Sequence, residues 1–221
     1  MLAVIGDVVQ DVVVWCAQPR PDATDTQCRI HMTRGGSAAN VAAFAAPLCP
    51  VRFIGCVGDD LAGHALVAEL EGHGVEVQVQ RRGTTGVIVV MVADDGERSM
   101  FPSRGASGEL QTIAPEWLED VDLLHLAGYS LQDEPAASSV TDAARRVHAA
   151  GGQVCLDASS AGMIAQIGVG VFRARLLDLA PPILSANRDE AALLQLTAGT
   201  GPAALLSRPR DATVPLRPPP N

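Results

Sequence analysis

The residues best placed to do chemistry in this sequence are two adjacent glycines, Gly35 and Gly36, and Asn40 four residues further on. Glycine lets a backbone approach a ligand closely, and the small residues after the pair favour a helix start, where the first N–H groups lack intrahelical partners. Asn40 lies one turn along that helix, so its amide faces the same side as the glycine backbone. This spacing predicts a polar site for hydroxyl groups. The alternative is a tight turn capped by Ser37.

The wider context of these glycines is a longer ordered pattern. Three small residues follow Gly36, then Asn40-Val41-Ala42 and an apolar helix, and finally Ile54-Gly55-Cys56-Val57-Gly58-Asp59-Asp60 before a second helix. In this order, over about two dozen positions, the pattern resembles the first signature of the ribokinase-like (PfkB) carbohydrate kinases, and it is more specific than an isolated glycine motif. The resemblance implies an ATP-dependent transfer of the γ-phosphate to a hydroxyl of a sugar or nucleoside.

The resemblance also implies which residues bind the substrate. Asp11 occupies the position of the family's hydroxyl-binding aspartate in Gly-x-x-x-x-Asp, counted from Gly6. Without the resemblance, Asp11 is equally a turn or N-cap carboxylate. The expected substrate site therefore comprises Asp11, Gly35, Gly36, Asn40 and, from the lid described next, Phe101.

Two apolar segments flank Asp94-Asp95-Gly96-Glu97, whose Asp-Gly pair is a strong hairpin signal. In the resembled family such strands form a small β lid over the sugar, which here would comprise residues 27–32 and 87–101, with Met91 or Phe101 touching the substrate. The alternative is a continuation of the main sheet. An exposed lid needs its other face covered, and in many relatives a second subunit does this, so we expect a homodimer through the lid.

A second polar motif follows a short strand at residues 183–185. Asn187-Arg188-Asp189-Glu190 matches the family's Asn-x-x-Glu, which implies that Asn187 and Glu190 support the placement of Mg²⁺ and phosphate near the nucleotide, with Glu190 acting on the metal indirectly. Without the family, Asn187 is a helix N-cap and Glu190 is its capping-box partner. The two interpretations are compatible.

Composition restricts the other possibilities. The chain has 221 residues, with 16 Arg and no Lys against 25 Asp and Glu, a net charge of −9. This balance argues against a nucleic-acid partner held through phosphates. The absence of Lys excludes a P-loop and a Schiff-base mechanism. Nucleotide chemistry would therefore rely on backbone groups, arginines and carboxylates.

The cysteines and the N-terminus bear on location. Five scattered cysteines without a Cys-x-x-Cys predict small buried thiols in a reducing compartment, with neither a disulfide framework nor a zinc site. The N-terminus lacks a basic segment and is interrupted by Asp7 and Asp11, which favours a strand over a signal peptide. No apolar run is long enough for a membrane helix. We therefore expect a cytoplasmic protein without a membrane partner.

Strands and helices alternate along most of the chain, which predicts an α/β fold with a parallel central sheet, helices on both faces and the small β lid. Predicted strands include 2–5 with 12–15, 51–57, 123–127, 154–156 and 183–185, and predicted helices include 37–46, 61–70, 135–149 and 191–196. Residues 1–196 are expected to form the kinase domain. Residues 197–221, with many prolines, are expected to be an irregular tail.

One part of the resembled family is missing. Its second signature, Gly-Ala-Gly-Asp, supplies the anion hole and the catalytic base, and no Gly-x-Gly-Asp occurs after Glu190. The catalytic residue is therefore unknown, the C-terminal part of the fold is expected to be absent, and turnover is expected to be impaired. The alternatives are a sugar-binding pseudokinase or fragment and, third, a dinucleotide-binding domain, which the lack of Gly-x-Gly-x-x-Gly after the first strand disfavours.

Overall fold

The computed structural model describes residues 1–16, 25–93 and 95–196, together with the backbone of residues 204–208. The strands of its main sheet are β1 (Leu2–Ile5), β4 (Val51–Val57), β5 (Glu76–Arg81), β8 (Leu123–Ala127), β9 (Gln153–Asp157), β10 (Ile183–Asn187) and β11 (Ala204–Arg208). They lie in the order β11-β10-β9-β8-β1-β4-β5, and every neighbouring pair is parallel. The predicted parallel central sheet is confirmed.

Helices cover both faces of this sheet, as predicted. They are α1 (Ser37–Ala45), α2 (Leu61–Gly72), α3 (Ala136–Ala149), α4 (Ala161–Ile167), α5 (Val169–Leu179) and α6 (Arg188–Leu193). Alternate residues of one strand enter different cores: Ala3 and Ile5 pack with α3, whereas Val4 packs with α1 and α2. Since successive side chains of a strand point to opposite faces, a strand buried on both sides reads as a continuous apolar run.

A separate four-stranded sheet stands apart from the main sheet. It contains β2 (Val9–Cys16), β3 (Cys28–Gly35), β6 (Val87–Val92) and β7 (Arg98–Ser103), in the order β3-β2-β6-β7. We call it the lid sheet. The predicted lid is confirmed, and the alternative of a longer main sheet is wrong. The prediction that residues 12–15 resume the first strand is also wrong, because they belong to β2 at the centre of the lid sheet.

Other differences concern elements without strong sequence signals. Strand β5 and helices α4 and α5 were not predicted. The prediction of an irregular tail is wrong at residues 204–208, which form β11 beside β10. Residues 204–208 contain no proline, which is compatible with a strand, because proline cannot donate to the hydrogen-bond ladder. The rest of the predicted tail, and Asp94 of the predicted hairpin, lie outside the described residues.

The cysteine prediction is wrong for one pair. Cys16 at the end of β2 and Cys28 at the start of β3 face each other across the lid sheet and form a disulfide. Sequence spacing did not reveal this pair because their proximity depends on the pairing of two strands. Cys56 is buried as expected, Cys155 is partly buried, and Cys49 is exposed.

Candidate active site

A cavity of about 660 Å³ lies between the lid sheet and the carboxyl ends of the central strands β1, β8 and β9. Ligands of parallel α/β sheets bind at this edge. Its polar lining comprises Asp7, Asp11, Ser37, Asn40, Arg104, Ser107, Tyr129, Gln132, Ser160 and Gln166. The lining is completed by Gly36, Gly162 and the apolar residues Val9, Ile88, Met100, Pro102 and Met163. Three of the predicted substrate residues, Asp11, Gly36 and Asn40, therefore share one cavity.

The first backbone N–H groups of α1 are already hydrogen-bonded within the protein. The carboxylate of Asp7 accepts hydrogen bonds from the backbone N–H groups of Ser37 at 3.1 Å and Ala38 at 3.2 Å, and its carbonyl oxygen accepts one from Ala39. The predicted cradle of free helix N–H groups is therefore wrong. Negative charge at a helix N-terminus is favourable, which stabilises the nearly buried Asp7. Its position directly after the first strand was the signal that sequence reasoning did not use.

Glycine is required at positions 35 and 36 for different structural reasons. Gly36 has a φ of 99°, a conformation that side chains rarely adopt, and a Cβ there would lie 2.5 Å from the carbonyl oxygen of Asp7. Gly35 does not line the cavity; a Cβ on it would overlap the carboxylate of Asp11. Gly36 therefore shapes the entry to α1, and Gly35 makes room for Asp11.

Asp11 projects from β2 into the cavity. Its Oδ1 atom is buried and has no hydrogen-bond partner among the described residues. The pKa of Asp11 is raised to about 6, mainly by burial and additionally by the neighbouring charge of Asp7, whereas Arg34 opposes both effects. An unsatisfied carboxylate oxygen in a cavity is costly without a ligand and is a strong acceptor for hydroxyl groups.

Asn40 reaches the same cavity from α1. Its Oδ1 atom accepts a hydrogen bond of 2.6 Å from Nη1 of Arg34, whose Nε atom lies 3.3 Å from Glu69 Oε1. This pairing fixes the orientation of the amide. With one lone pair of the carbonyl oxygen engaged by Arg34, Asn40 presents its NH₂ group as a donor and the second lone pair as an acceptor, so the predicted use of both stays a prediction.

Phe101 does not contact the cavity. In the lid sheet, Asp11 stands beside Ile88, which pairs with Pro102, whereas Phe101 pairs with Val89 one position away. Since successive strand residues face opposite sides, Phe101 lies on the outer face with Met91. The predicted contacts of Met91 and Phe101 with substrate are wrong, and the lid residues in the cavity are Ile88, Met100 and Pro102.

Sequence reasoning missed the opposite wall, formed by Arg104, Tyr129, Gln132 and Ser160. Arg104 donates to Gln132 Oε1 and to the carbonyl oxygen of Tyr129, each at 3.1 Å, and its guanidinium lies 5.4 Å from the centre of the Tyr129 ring. Burial raises the pKa of Tyr129, whose hydroxyl is hydrogen-bonded to Ser160. The sequence did hold two signals for this wall: Arg104 follows the last predicted lid strand, and Tyr129 follows a strand that ends at the site.

Asn187 and Glu190 form a capping box at the start of α6. Asn187 Oδ1 accepts from the Glu190 N–H at 2.9 Å, Glu190 Oε2 accepts from the Asn187 N–H at 2.8 Å, and Asn187 Nδ2 donates to Glu190 Oε1 at 2.8 Å. Glu190 is completely buried, and neither residue lines the cavity. The capping interpretation is confirmed, and it leaves no exposed oxygen of Glu190 for direct contact with a metal.

The described residues contain no group of three or more His, Cys, Asp or Glu side chains arranged to hold a metal ion. Among the helices in the same part of the chain, none is both long and apolar enough to cross a membrane.

The pfkB family carbohydrate kinase model matches residues 1–208. The chain belongs to this family. Among the relatives of this pfkB-family chain, the aminoimidazole riboside kinase of Salmonella typhimurium is 32% identical over 162 residues, 70% of this chain and 47% of the relative. The fructokinase of Vibrio alginolyticus is 31% identical over 160 residues, 70% of this chain and 49% of the relative. The chain thus spans about half the length of these relatives.

A solved structure with the same fold is the fructokinase of Xylella fastidiosa with bound ATP. The TM-score is 0.78, over 93% of this chain and 71% of that chain, at 22% identity. At this identity the similarity shows that the two chains share the ribokinase-like fold.

Proposed function

We propose that this chain binds a sugar or nucleoside in the cavity beneath the lid sheet. The proposed reaction is that of its family, transfer of the γ-phosphate of ATP to a hydroxyl of the bound substrate. The observation that carries the proposal is that Asp11 lines this cavity while its buried Oδ1 atom has no hydrogen-bond partner among the described residues. The named kinase activities of the relatives support the reaction type.

Each group at this end of the cavity has a distinct proposed role. Ionised Asp11 accepts hydrogen bonds from two substrate hydroxyls, and the amide NH₂ of Asn40 donates to a hydroxyl oxygen. Gly36 brings its backbone close to the substrate, and Gly35 keeps the carboxylate of Asp11 in place by leaving space for it. Arg34 positions Asn40 through the 2.6 Å hydrogen bond and restrains the pKa of Asp11.

ATP is the proposed phosphate donor and Mg²⁺ the proposed ion. Because Glu190 is completely buried and engaged by Asn187, this pair fits an indirect role, in which it fixes the start of α6 near the nucleotide. Mg²⁺ is commonly bound through substrate phosphates with few protein ligands, which suits a site without a carboxylate cluster in the described residues. A reaction that consumes ATP also favours the cytoplasm as the location.

A second candidate function is sugar binding without turnover. It is favoured by the lining of the cavity in the described residues. The two carboxylates there are Asp7, which accepts from the N–H groups of α1, and Asp11, the proposed hydroxyl acceptor, so no further carboxylate lining the cavity is available as a general base. General-base assistance contributes about 10²–10⁴-fold to the rate. Retained binding with strongly reduced turnover would distinguish this function from the first.

The decisive experiment combines titration calorimetry with an ADP-release assay over a panel of sugars and nucleosides. Asp11→Asn should weaken substrate binding by about ten- to hundredfold, because it removes a charged hydrogen-bond acceptor. The matched control is Asp95→Asn, an exposed carboxylate in the loop between β6 and β7. Unchanged binding by Asp11→Asn would refute the proposal.

The ADP-release assay distinguishes the two candidate functions, kinase activity and sugar binding without turnover. Substrate-dependent ADP release at about 1–100 per second would support the kinase. Binding without such release would support the binding module.

We also propose that the lid sheet forms a homodimer through its outer face. Val12, Met32, Val89 and Phe101 are direct neighbours across all four strands of this face. Met32 is 65% exposed and Phe101 is 58% exposed. A contiguous exposed apolar stripe on a sheet favours burial against a second copy.

A further inference from the structure

Arg104 occupies the cavity wall opposite Asp11 and is held there by fixed contacts. It lies between the end of β7 and the short 3-10 helix Gly105–Gly108. Gln132 Oε1 and the Tyr129 carbonyl oxygen each accept a hydrogen bond of 3.1 Å, and the Tyr129 ring supports the guanidinium plane. A planar fork held in this way is preorganised to bind a further acceptor.

The partners of Arg104 are all uncharged. No ion pair among the described residues includes it, whereas Arg34 and Arg52 pair with Glu69 and Glu76. Its Nε atom is buried without a hydrogen-bond partner in the same part of the chain. A cation that is partly withdrawn from water without a counter-charge is costly. The cavity therefore holds a positive charge with one donor left to use.

The negative charge of Asp11 does not supply this counter-charge. The charges that shift the pKa of Asp11 come from Asp7 and Arg34. Arg104 instead acts on Tyr129, whose pKa it lowers against the effect of burial. Asp7 also lines the cavity and its charge also acts on Tyr129, but its carboxylate accepts hydrogen bonds from two N–H groups of α1 and forms no ion pair with Arg104. The cavity thus has an acidic group at Asp11 and a basic group at Arg104, on different elements.

We propose that the acceptor substrate is an anionic sugar, one that carries a phosphate or a carboxylate as well as hydroxyl groups. This inference rests on the proposed function. The hydroxyls bind at Asp11 and Asn40, and the anionic group binds the guanidinium of Arg104 through Nε and the adjacent N–H donors. Arg is well suited to this role, because its donors match the spacing of carboxylate and phosphate oxygens. The cavity of about 660 Å³ is large enough for a sugar of this kind.

The test is titration calorimetry with matched pairs: ribose and ribose 5-phosphate, fructose and fructose 6-phosphate, glucose and gluconate. We expect at least one anionic member to bind about ten- to hundredfold more tightly than its neutral partner. Arg104→Gln should abolish this preference, and Arg104→Lys should retain part of it, since the charge remains. The control is Arg82→Gln, an exposed arginine outside the cavity. Thermal unfolding of each variant verifies that it is folded.

Four outcomes would overturn the inference. Equal binding of every neutral and anionic pair would show that the site does not select for charge. If Arg104→Gln weakened ATP binding but left the sugar preference unchanged, the anion at Arg104 would be a nucleotide phosphate. If neutral and anionic sugars bound equally and Asp11→Asn weakened both, the proposed function would stand and only this inference would fail. If no sugar bound, both would fail.

Discussion

Gly35 lies against the carboxylate of Asp11, so close that no side chain fits between them. The two residues come from neighbouring antiparallel strands of the lid sheet, β3 and β2. The first glycine of the signature therefore accommodates the acidic residue that we propose binds the substrate. Its conservative replacement is a direct test of that relationship.

We expect Gly35→Ala to displace the carboxylate of Asp11. The overlap should reduce the free energy of unfolding by about 1–3 kcal/mol, and sugar affinity should fall with it. Gly170→Ala is the matched control, because a Cβ at this exposed position in α5 meets no atom within 4 Å. Alanine favours helix there, so the control should be neutral or stabilising. Titration calorimetry measures the sugar affinity, and thermal unfolding measures the stability. Identical results for Gly35→Ala and Gly170→Ala would contradict the proposal that Gly35 makes room for the carboxylate of Asp11.

The raised pKa of Asp11 predicts a pH-dependent cost to stability. Its pKa is about 6 in the folded state, mainly because of burial, against about 3.9 for an unfolded chain. Between these values the folded state holds more protons, so the Asp11 contribution to stability falls as pH rises from about 4 to about 6. Asp11→Asn removes this loss. Its melting temperature relative to the wild type should therefore increase over that range and level off above it.

The measurement is the difference in melting temperature between Asp11→Asn and the wild type across the same pH series. Other carboxylates titrate in both proteins, so their effects cancel in the difference. A difference that stays constant with pH would show that Asp11 titrates normally.

The capping box predicts an unusually large effect of Asn187→Ala. This change removes the N-cap acceptor and the Nδ2 donor to Glu190, whose carboxylate is completely buried. The Asn187 backbone N–H remains, but the side-chain donor is lost. We expect a loss of about 2–4 kcal/mol, the sum of an N-cap and a charged hydrogen bond. Ser160→Ala removes the N-cap of α4 without a buried carboxylate and should cost about 0.5–2 kcal/mol.

Chemical denaturation of the two variants and the wild type measures the loss in the free energy of unfolding for each change. Equal losses would mean that Glu190 has enough other support to tolerate the change.

The proposed homodimer predicts that Met32→Glu prevents association, because the new charge would be buried between the outer faces of two lid sheets. Phe44→Glu replaces a side chain that is even more exposed, at 76%, but lies on α1 outside the lid sheet. Sedimentation velocity should find a dimer for the wild type and Phe44→Glu and a monomer for Met32→Glu. A monomeric wild type would refute the proposal.

Sequence patterns determined the features that depend on local order. The strand at residues 51–57 and the strand at residues 123–127 have the bounds that the sequence predicted. Continuous apolar runs, glycine stops and strand–helix alternation are sufficient to predict these bounds. A strand that is buried on both faces of a parallel sheet consists of consecutive apolar residues, so its first and last residues can be read from the sequence. The glycine signature likewise identified the family and two of the residues that share the cavity, Gly36 and Asn40, and the Gly-x-x-x-x-Asp motif identified a third, Asp11.

The tertiary structure decided what depends on contacts between distant segments. Asp7 fills the helix start that the sequence left open, and Cys16 meets Cys28 only because β2 and β3 pair. Strand register placed Phe101 outside the cavity, since one residue along a strand reverses the face of the sheet. Arg104 acquires its position from Gln132 and Tyr129, which lie on another part of the chain. Local sequence specifies the elements, whereas the counter-charges, partners and faces of their side chains arise only when those elements pack together.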